Sequence, residues 1–224
     1  MHFLDRGDAG RMLAAALAPL ADERPVVVAL PRGGVPVGAE VARLLDAPLE
    51  ILAVRKLGAP GNPELGVGAI AEDGTAVLDE RSAGAVGMTQ AMLEETVARE
   101  ASELQRRVAS YRGDRPRVPI AGRTVILVDD GLATGLSDLA AVRAIRKQNA
   151  SRIIVAVPVG SSEALRMLAE EADDVVCLLT PHVLFGVGLW YDDFSAVDDE
   201  QVLVLLREAR EREGDGRPQP ERTV

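Results

Sequence analysis

Asp129 and Asp130 stand side by side directly after Val125-Ile126-Leu127-Val128, and Ala133-Thr134-Gly135-Leu136-Ser137 follows almost at once. Four consecutive apolar residues, mostly β-branched, read as a buried strand of a parallel sheet. The paired carboxylates then fall at its C-terminal end, where ligands bind in open α/β sheets. Backbone N–H groups at a Thr-Gly loop opening a helix form an anion site, to which Thr134 and Ser137 add hydroxyl donors. Carboxylates accept hydrogen bonds from a vicinal diol while the loop holds a phosphate. A ribose 5-phosphate has both groups.

This segment resembles the 5-phosphoribosyl 1-diphosphate (PRPP) signature of the type I phosphoribosyltransferases. In that family the acidic pair binds the ribose 2′- and 3′-hydroxyls and the Thr-Gly loop binds the 5′-phosphate. The resemblance implies that Asp129 and Asp130 take the ribose and lie near Mg²⁺. It assigns the 5′-phosphate to Ala133, Thr134, Gly135, Leu136 and Ser137.

Three other stretches carry candidate chemistry. Pro31-Arg32-Gly33-Gly34 directly follows an apolar strand; its glycines permit close backbone approach, and Arg32 offers a forked donor for phosphate oxygens. The family uses a short loop here, often with a strained or cis peptide, to grip pyrophosphate, which implicates Arg32 and Gly33. Arg55-Lys56-Leu57-Gly58 resembles a stretch of the adenine-type enzymes, so Arg55 and Lys56 are candidates for neutralising the diphosphate. Glu64 is a candidate proton donor or base. Phe185 to Phe194 holds most of the aromatics. The spacing of Phe185, Gly188 and Asp192 matches the base-binding hood of the 6-oxopurine enzymes. That match implies that Phe185 stacks on an acceptor base, that Val187 offers backbone hydrogen bonds beside Trp190, and that Asp192 lies near the magnesium. Trp190, Tyr191 and Phe194 also suit anchoring of the C-terminal segment onto the core. The 6-oxopurine enzymes carry an acidic residue where this chain has Ala133. They also carry a lysine for which Thr180-Pro181-His182-Val183 offers no counterpart, so hypoxanthine and guanine are expected to be poor acceptors.

Positioning these residues requires strands alternating with helices. Strands are expected at Val26–Leu30, Leu49–Val54, Val125–Val128, Ile153–Pro158 and Asp174–Leu179. Helices are expected at Asp8–Leu20, Gly38–Leu45, Thr89–Tyr111, Leu139–Ala150, Ser162–Ala172 and Asp198–Arg212. The last carries Asp198 and Gln201 in a capping-box arrangement. Leu57 to Gly68, rich in Gly and Pro, reads as a mobile loop, and Ala69 to Asp79 as a hairpin around Glu72-Asp73-Gly74. The fold class is α/β: a mostly parallel central sheet with helices on both faces, the type I phosphoribosyltransferase fold, plus a small hood. The expected organisation is one domain over residues 1–212, with the hood built from about 1–22 and 180–197, and a disordered polar tail over 213–224.

The chain has 224 residues, 47% of them hydrophobic, which is ample for one core. A net charge of −10 and the lack of a basic stripe argue against a nucleic-acid partner. The apolar runs are too short to span a bilayer. Met1 to Gly10 is too charged for a signal peptide, and Cys177, the single cysteine, excludes an internal disulfide, so a reducing cytoplasm is expected. Cys177 sits within an apolar strand and makes a poor nucleophile. His2 and His182 form neither a triad nor a metal set. The expected function is Mg²⁺-dependent transfer of the phosphoribosyl group of PRPP to a small nitrogen acceptor, a nucleobase first among candidates. A PRPP-sensing module without transfer stands as the alternative, and a homodimer is left open. A sensor need not keep a charged Gly/Pro-rich loop, so Leu57 to Gly68 with Arg55-Lys56 favours the enzyme.

Overall fold

Runs of β-branched residues build the central sheet. The computed structural model describes residues 2–59, 61–113 and 116–215, without the side chains of residues 63, 64 and 213–215. Strands β1 (Val26–Ala29), β2 (Leu49–Ile51), β6 (Thr124–Val128), β7 (Arg152–Val159) and β8 (Asp174–Leu179) form a parallel sheet of order β2-β1-β6-β7-β8. Alternation along each strand divides the core. Val27, Ala29, Ile126 and Val128 pack with α1 (Arg6–Leu17), α2 (Gly34–Leu44) and α7 (Asp199–Asp215). Val26, Val28, Val125 and Leu127 face the opposite way, onto α5 (Leu136–Lys147) and α6 (Ser162–Ala169). A sheet covered on both faces needs such continuous apolar strands, and these strands have them.

Two regions differ from the sequence-based expectation. Leu49–Val54 is not one strand: the chain leaves the large sheet after Ile51 and enters a second sheet at Val54. Leu57 to Gly68, expected to be a mobile loop, is instead strand at 57–59 and 62–68. Strands β3 (Val54–Ala59), β4 (Asn62–Ala71) and β5 (Ala76–Leu78) form an antiparallel sheet, with Leu57 opposite Gly68 and Gly58 opposite Gly66. Leu57, Ala59 and Val67 point to one side and bury against the long helix α4 (Gln90–Arg112), where Leu104 completes a separate small core. The glycines diluted this period-2 stripe in the sequence, yet Gly68 is required: a Cβ there would come within 2.3 Å of the Val77 carbonyl oxygen. The short helix α3 (Glu80–Ala85), capped by Asp79, was not anticipated.

The start of α7 follows the sequence reading. Gln201 N donates to Asp198 Oδ1 (2.8 Å), and Asp198 N donates to Gln201 Oε1 (3.0 Å). Replacing Asp198 by Ala removes one half of this reciprocal cap and is expected to cost about 1 kcal/mol, read as a lower urea midpoint at unchanged slope. The helix runs on to Asp215, so the first residues assigned to a disordered tail are helical. Residues 216–224 of that tail lie outside the described residues. At the other end, Phe3 pairs with Tyr191 in an isolated parallel bridge, and Phe3, Ala9, Val159 and Tyr191 form a small core of their own.

Candidate active site

Strands β1 and β6 are parallel neighbours in register, Val28 opposite Leu127 and Ala29 opposite Val128, so the loops leaving their C-terminal ends meet. The Pro31–Arg32 peptide is cis. Gly33 lies so close to the acidic pair that a Cβ would fall 2.0 Å from Asp130 Oδ2, and a Cβ on Gly34 would fall 2.7 Å from the Val128 carbonyl oxygen. Only glycine allows this contact between the two loops.

Three carboxylates collect here with little countercharge. Asp138, on the first turn of α5, is buried, and its Oδ1 has no hydrogen-bond partner. Burial pushes its carboxyl up to about 7, and the Asp130 charge adds to the effect. Burial raises Asp129 well above the usual carboxylate range, helped by Asp138 and Asp130. Asp130 is raised by burial too, but Arg6 opposes the shift. Arg6 Nε donates to Asp130 Oδ2 at 2.8 Å, and the Tyr191 hydroxyl donates to the Asp130 carbonyl at 2.6 Å.

Beyond the acids, Gly135 takes a positive φ of 74° and opens α5. The first helical bond runs from Leu139 N to Gly135 O, so the preceding amides stand free of the helix ladder and are available to an anion. Ser161 Oγ donates to the Ala133 carbonyl at 2.8 Å and fixes the loop from β7's side. A cleft of about 750 Å³ opens on this loop, lined by Thr134, Ser137, Lys56, Leu65 and Arg81 among others. That volume suits a small-molecule ligand.

The structure sorts the remaining candidates. Lys56 faces the cleft. Arg55, its neighbour on β3, points to the other side and pairs with Glu100 (2.6 Å) and Glu103 (3.7 Å) of α4. A one-residue step along a strand reverses the side chain, so Arg55 holds the small sheet to α4 and is not in the cleft. The side chain of Glu64 lies outside the described residues. Arg32 is 45% exposed, with Nη1 3.9 Å from Asp199 Oδ1 at the start of α7. Val187 packs on Gly131, where a Cβ would meet its Cγ1 at 2.5 Å, and Trp190 is partly buried, its carbonyl accepting from Phe3 N at 2.9 Å. Phe185 is 87% exposed. Asp192 does not join the acidic pair: its carboxylate is 62% exposed and lies 2.9 Å from His2 Nδ1. Among the described residues no group of three or more His, Cys, Asp or Glu side chains could hold a metal ion. Mg²⁺ normally takes only one or two carboxylates and completes its shell with substrate phosphates and water. The under-compensated Asp129 and Asp130 fit that role, while Asp192 does not.

Sequence reasoning missed Arg6 and Asp138. Arg6 had one signal, since a cation in the first turn of a helix opposes the helix dipole and calls for a partner elsewhere. Asp138 had none: an acid in a first turn is ordinary there, which hides its burial.

The family model described as "Phosphoribosyl transferase domain" matches residues 7–193. The TT1426 protein of Thermus thermophilus, known from a crystal structure, is 47% identical with a TM-score of 0.79, over 93% of this chain and 99% of that one. Two Mycobacterium tuberculosis proteins, from strains H37Rv and CDC 1551, are provisionally named phosphoribosyl transferases. Each is 45% identical over 207 residues, which is 92% of this chain and 47% of the relative. The chain thus spans about half the length of the curated relatives it matches. Among the described residues no helix is long and apolar enough to cross a membrane. With an acidic pair and a glycine-opened loop at the end of one strand, a Gly-Gly loop from the adjoining strand against them, the type I phosphoribosyltransferase fold and a family match over most of its length, this chain belongs to the phosphoribosyl transferase domain family.

Proposed function

We propose that the chain transfers the 5-phosphoribosyl group of PRPP to a nitrogen acceptor, a nucleobase first among candidates, and releases diphosphate. The observation that carries this reading is the close contact of the Gly33-Gly34 backbone with Asp129 and Asp130, beside the anion loop of α5. It sets the loop after β1, the acidic pair and the loop opening α5 together at the C-terminal ends of two inner strands, which supports a diphosphate grip, a diol acceptor and a phosphate cradle in one site. Asp129 and Asp130 accept the ribose hydroxyls, and the amides of 135–137 with Thr134 and Ser137 hold the 5′-phosphate. Arg32 and Gly33 hold the diphosphate. Bound Mg²⁺, held by Asp129 and Asp130 together with the donor's own phosphates, would offset charge on the leaving group. Lys56 lies in the cleft and adds a compact positive charge.

The C1–O bond breaks ahead of nucleophile attack, so the protein acts mainly by positioning and charge stabilisation. Leu65 and Gly66, on the β4 side of the cleft, shield the donor from water, which would otherwise hydrolyse it. Phe185, Val187 and Trp190 form the acceptor side, where Phe185 supplies an open ring face. The test is a scan of nucleobases and other nitrogen acceptors with PRPP and Mg²⁺, following diphosphate release. Release is expected with at least one base and little with hypoxanthine or guanine. Tight PRPP binding without release for any acceptor would instead mean a sensor that kept the ribose-phosphate site.

A further inference from the structure

Arg6 is the one guanidinium in contact with the acidic pair among the described residues, and the transfer reaction as set out above gives it no task. It is firmly held. Its Nε donates to Asp130 Oδ2 (2.8 Å), its Nη1 donates to the Ser195 carbonyl (2.8 Å), and its guanidinium lies 3.8 Å from the centre of the Phe194 ring. The side chains of Arg6 and Asp130 are only 11% and 15% exposed. Phe194 packs in turn against Tyr191 in a tilted ring pair, and the Tyr191 hydroxyl donates to the Asp130 carbonyl. Asp130 is therefore held by its backbone and by one carboxylate oxygen.

The other oxygen, Oδ1, receives no side-chain hydrogen bond among the described residues. Oδ2 is occupied by Arg6 and lies against Gly33, while no other side chain donates to the Asp130 carboxylate among the described residues. A carboxylate free to rotate presents either oxygen to either hydroxyl of a diol. Clamped on one side, it presents one acceptor in one direction, so the hydroxyl it meets is read by geometry as well as by charge.

We propose that Arg6 is a positioning residue for ribose recognition: it fixes Oδ2 of Asp130, aims Oδ1 at one ribose hydroxyl, and so sets the preference for ribose over deoxyribose. The proposal rests on the reading of Asp130 as a ribose acid. Three-point attachment also explains why the position carries Arg and not Lys. An ammonium can pair with Asp130 but cannot stack on Phe194 and reach the Ser195 carbonyl from the same plane.

Calorimetric titration of the full chain with ribose 5-phosphate, and with its 2-deoxy and 3-deoxy counterparts, tests this. The wild type should bind ribose 5-phosphate at least about tenfold more tightly than one of the deoxy sugars. In Arg6→Gln that ratio should fall to within about twofold of one, with affinity for that deoxy sugar nearly unchanged; Arg6→Lys should keep part of the ratio. A loss of general fold integrity would weaken all three ligands together. An unchanged ratio in Arg6→Gln, or an equal loss for all three sugars, overturns the proposal. If the wild type itself fails to distinguish the sugars, the ribose assignment of Asp130 falls, whatever Arg6 does. Should Arg6→Gln not fold, Phe194→Leu removes the ring face beneath the guanidinium and leaves both ion-pair partners. It should lower the same ratio part of the way, and no change in it overturns the proposal.

Discussion

Replacing Asp129 and Asp130 together by Asn is expected to weaken PRPP binding by roughly 1–3 kcal/mol, about 5- to 150-fold, in calorimetry. The double variant keeps shape and some hydrogen-bonding capacity, so the loss reports charge-assisted acceptance of the ribose hydroxyls and attraction for Mg²⁺. The phosphate loop lies on separate residues, so affinity for inorganic phosphate should change little. Both carboxyls are raised by burial in the folded protein, so ionising them opposes folding. Neutral amides should therefore leave thermal stability at pH 8 undiminished. Loss of binding without loss of stability marks a group kept for its ligand. Unchanged PRPP affinity would remove the acidic pair from the donor site.

Asp138→Asn should flatten the dependence of stability on pH. The Asp138 carboxyl lies near 3.8 when unfolded and at about 7 when folded, so between those values the folded chain holds the proton more tightly. The stabilisation is fully present below about pH 4 and is lost as pH rises through about 7. At about 1.4 kcal/mol per tenfold change in proton affinity, the ceiling is about 4 kcal/mol, and sharing of protons with Asp129 and Asp130 lowers it to roughly 2–3. Urea unfolding at pH 5 and pH 8, in the presence of a chelator, measures the difference. The wild type should lose stability between the two, and Asp138→Asn should lose much less. Parallel losses in the two proteins would mean that Asp138 does not carry the proton.

Much of the frame and part of the site were legible in the chain itself. Val125–Val128 followed by two acids and a Thr-Gly loop contains its own strand, its end and the start of the next helix. The Asp198–Gln201 pair announces a helix in the same local way. These signals work because strand alternation, helix caps and loop amides are short-range properties. The second sheet was not legible. The apolar residues Leu57, Ala59 and Val67 are separated by glycines that break the period-2 stripe, and the need for Gly68 beside them appears only when β5 packs against it. Nor could the chain show that Arg55 faces α4 while Lys56 faces the cleft, because an adjacent basic pair carries no mark of which side will be buried.

The sequence by itself determined the parallel α/β frame, the strand end that carries Asp129 and Asp130, and the Thr-Gly loop that opens α5 after it, since each depends on residues close together along the chain. Only the tertiary structure decided how those acids are held. Arg6 reaches Asp130 from 124 positions away, Gly33 meets its carboxylate from the turn after β1, and Asp138 becomes an acid of about 7 only once helix α5 is packed. Burial and charge act through space, and which groups share that space is settled only when the sheet and its helices close around them.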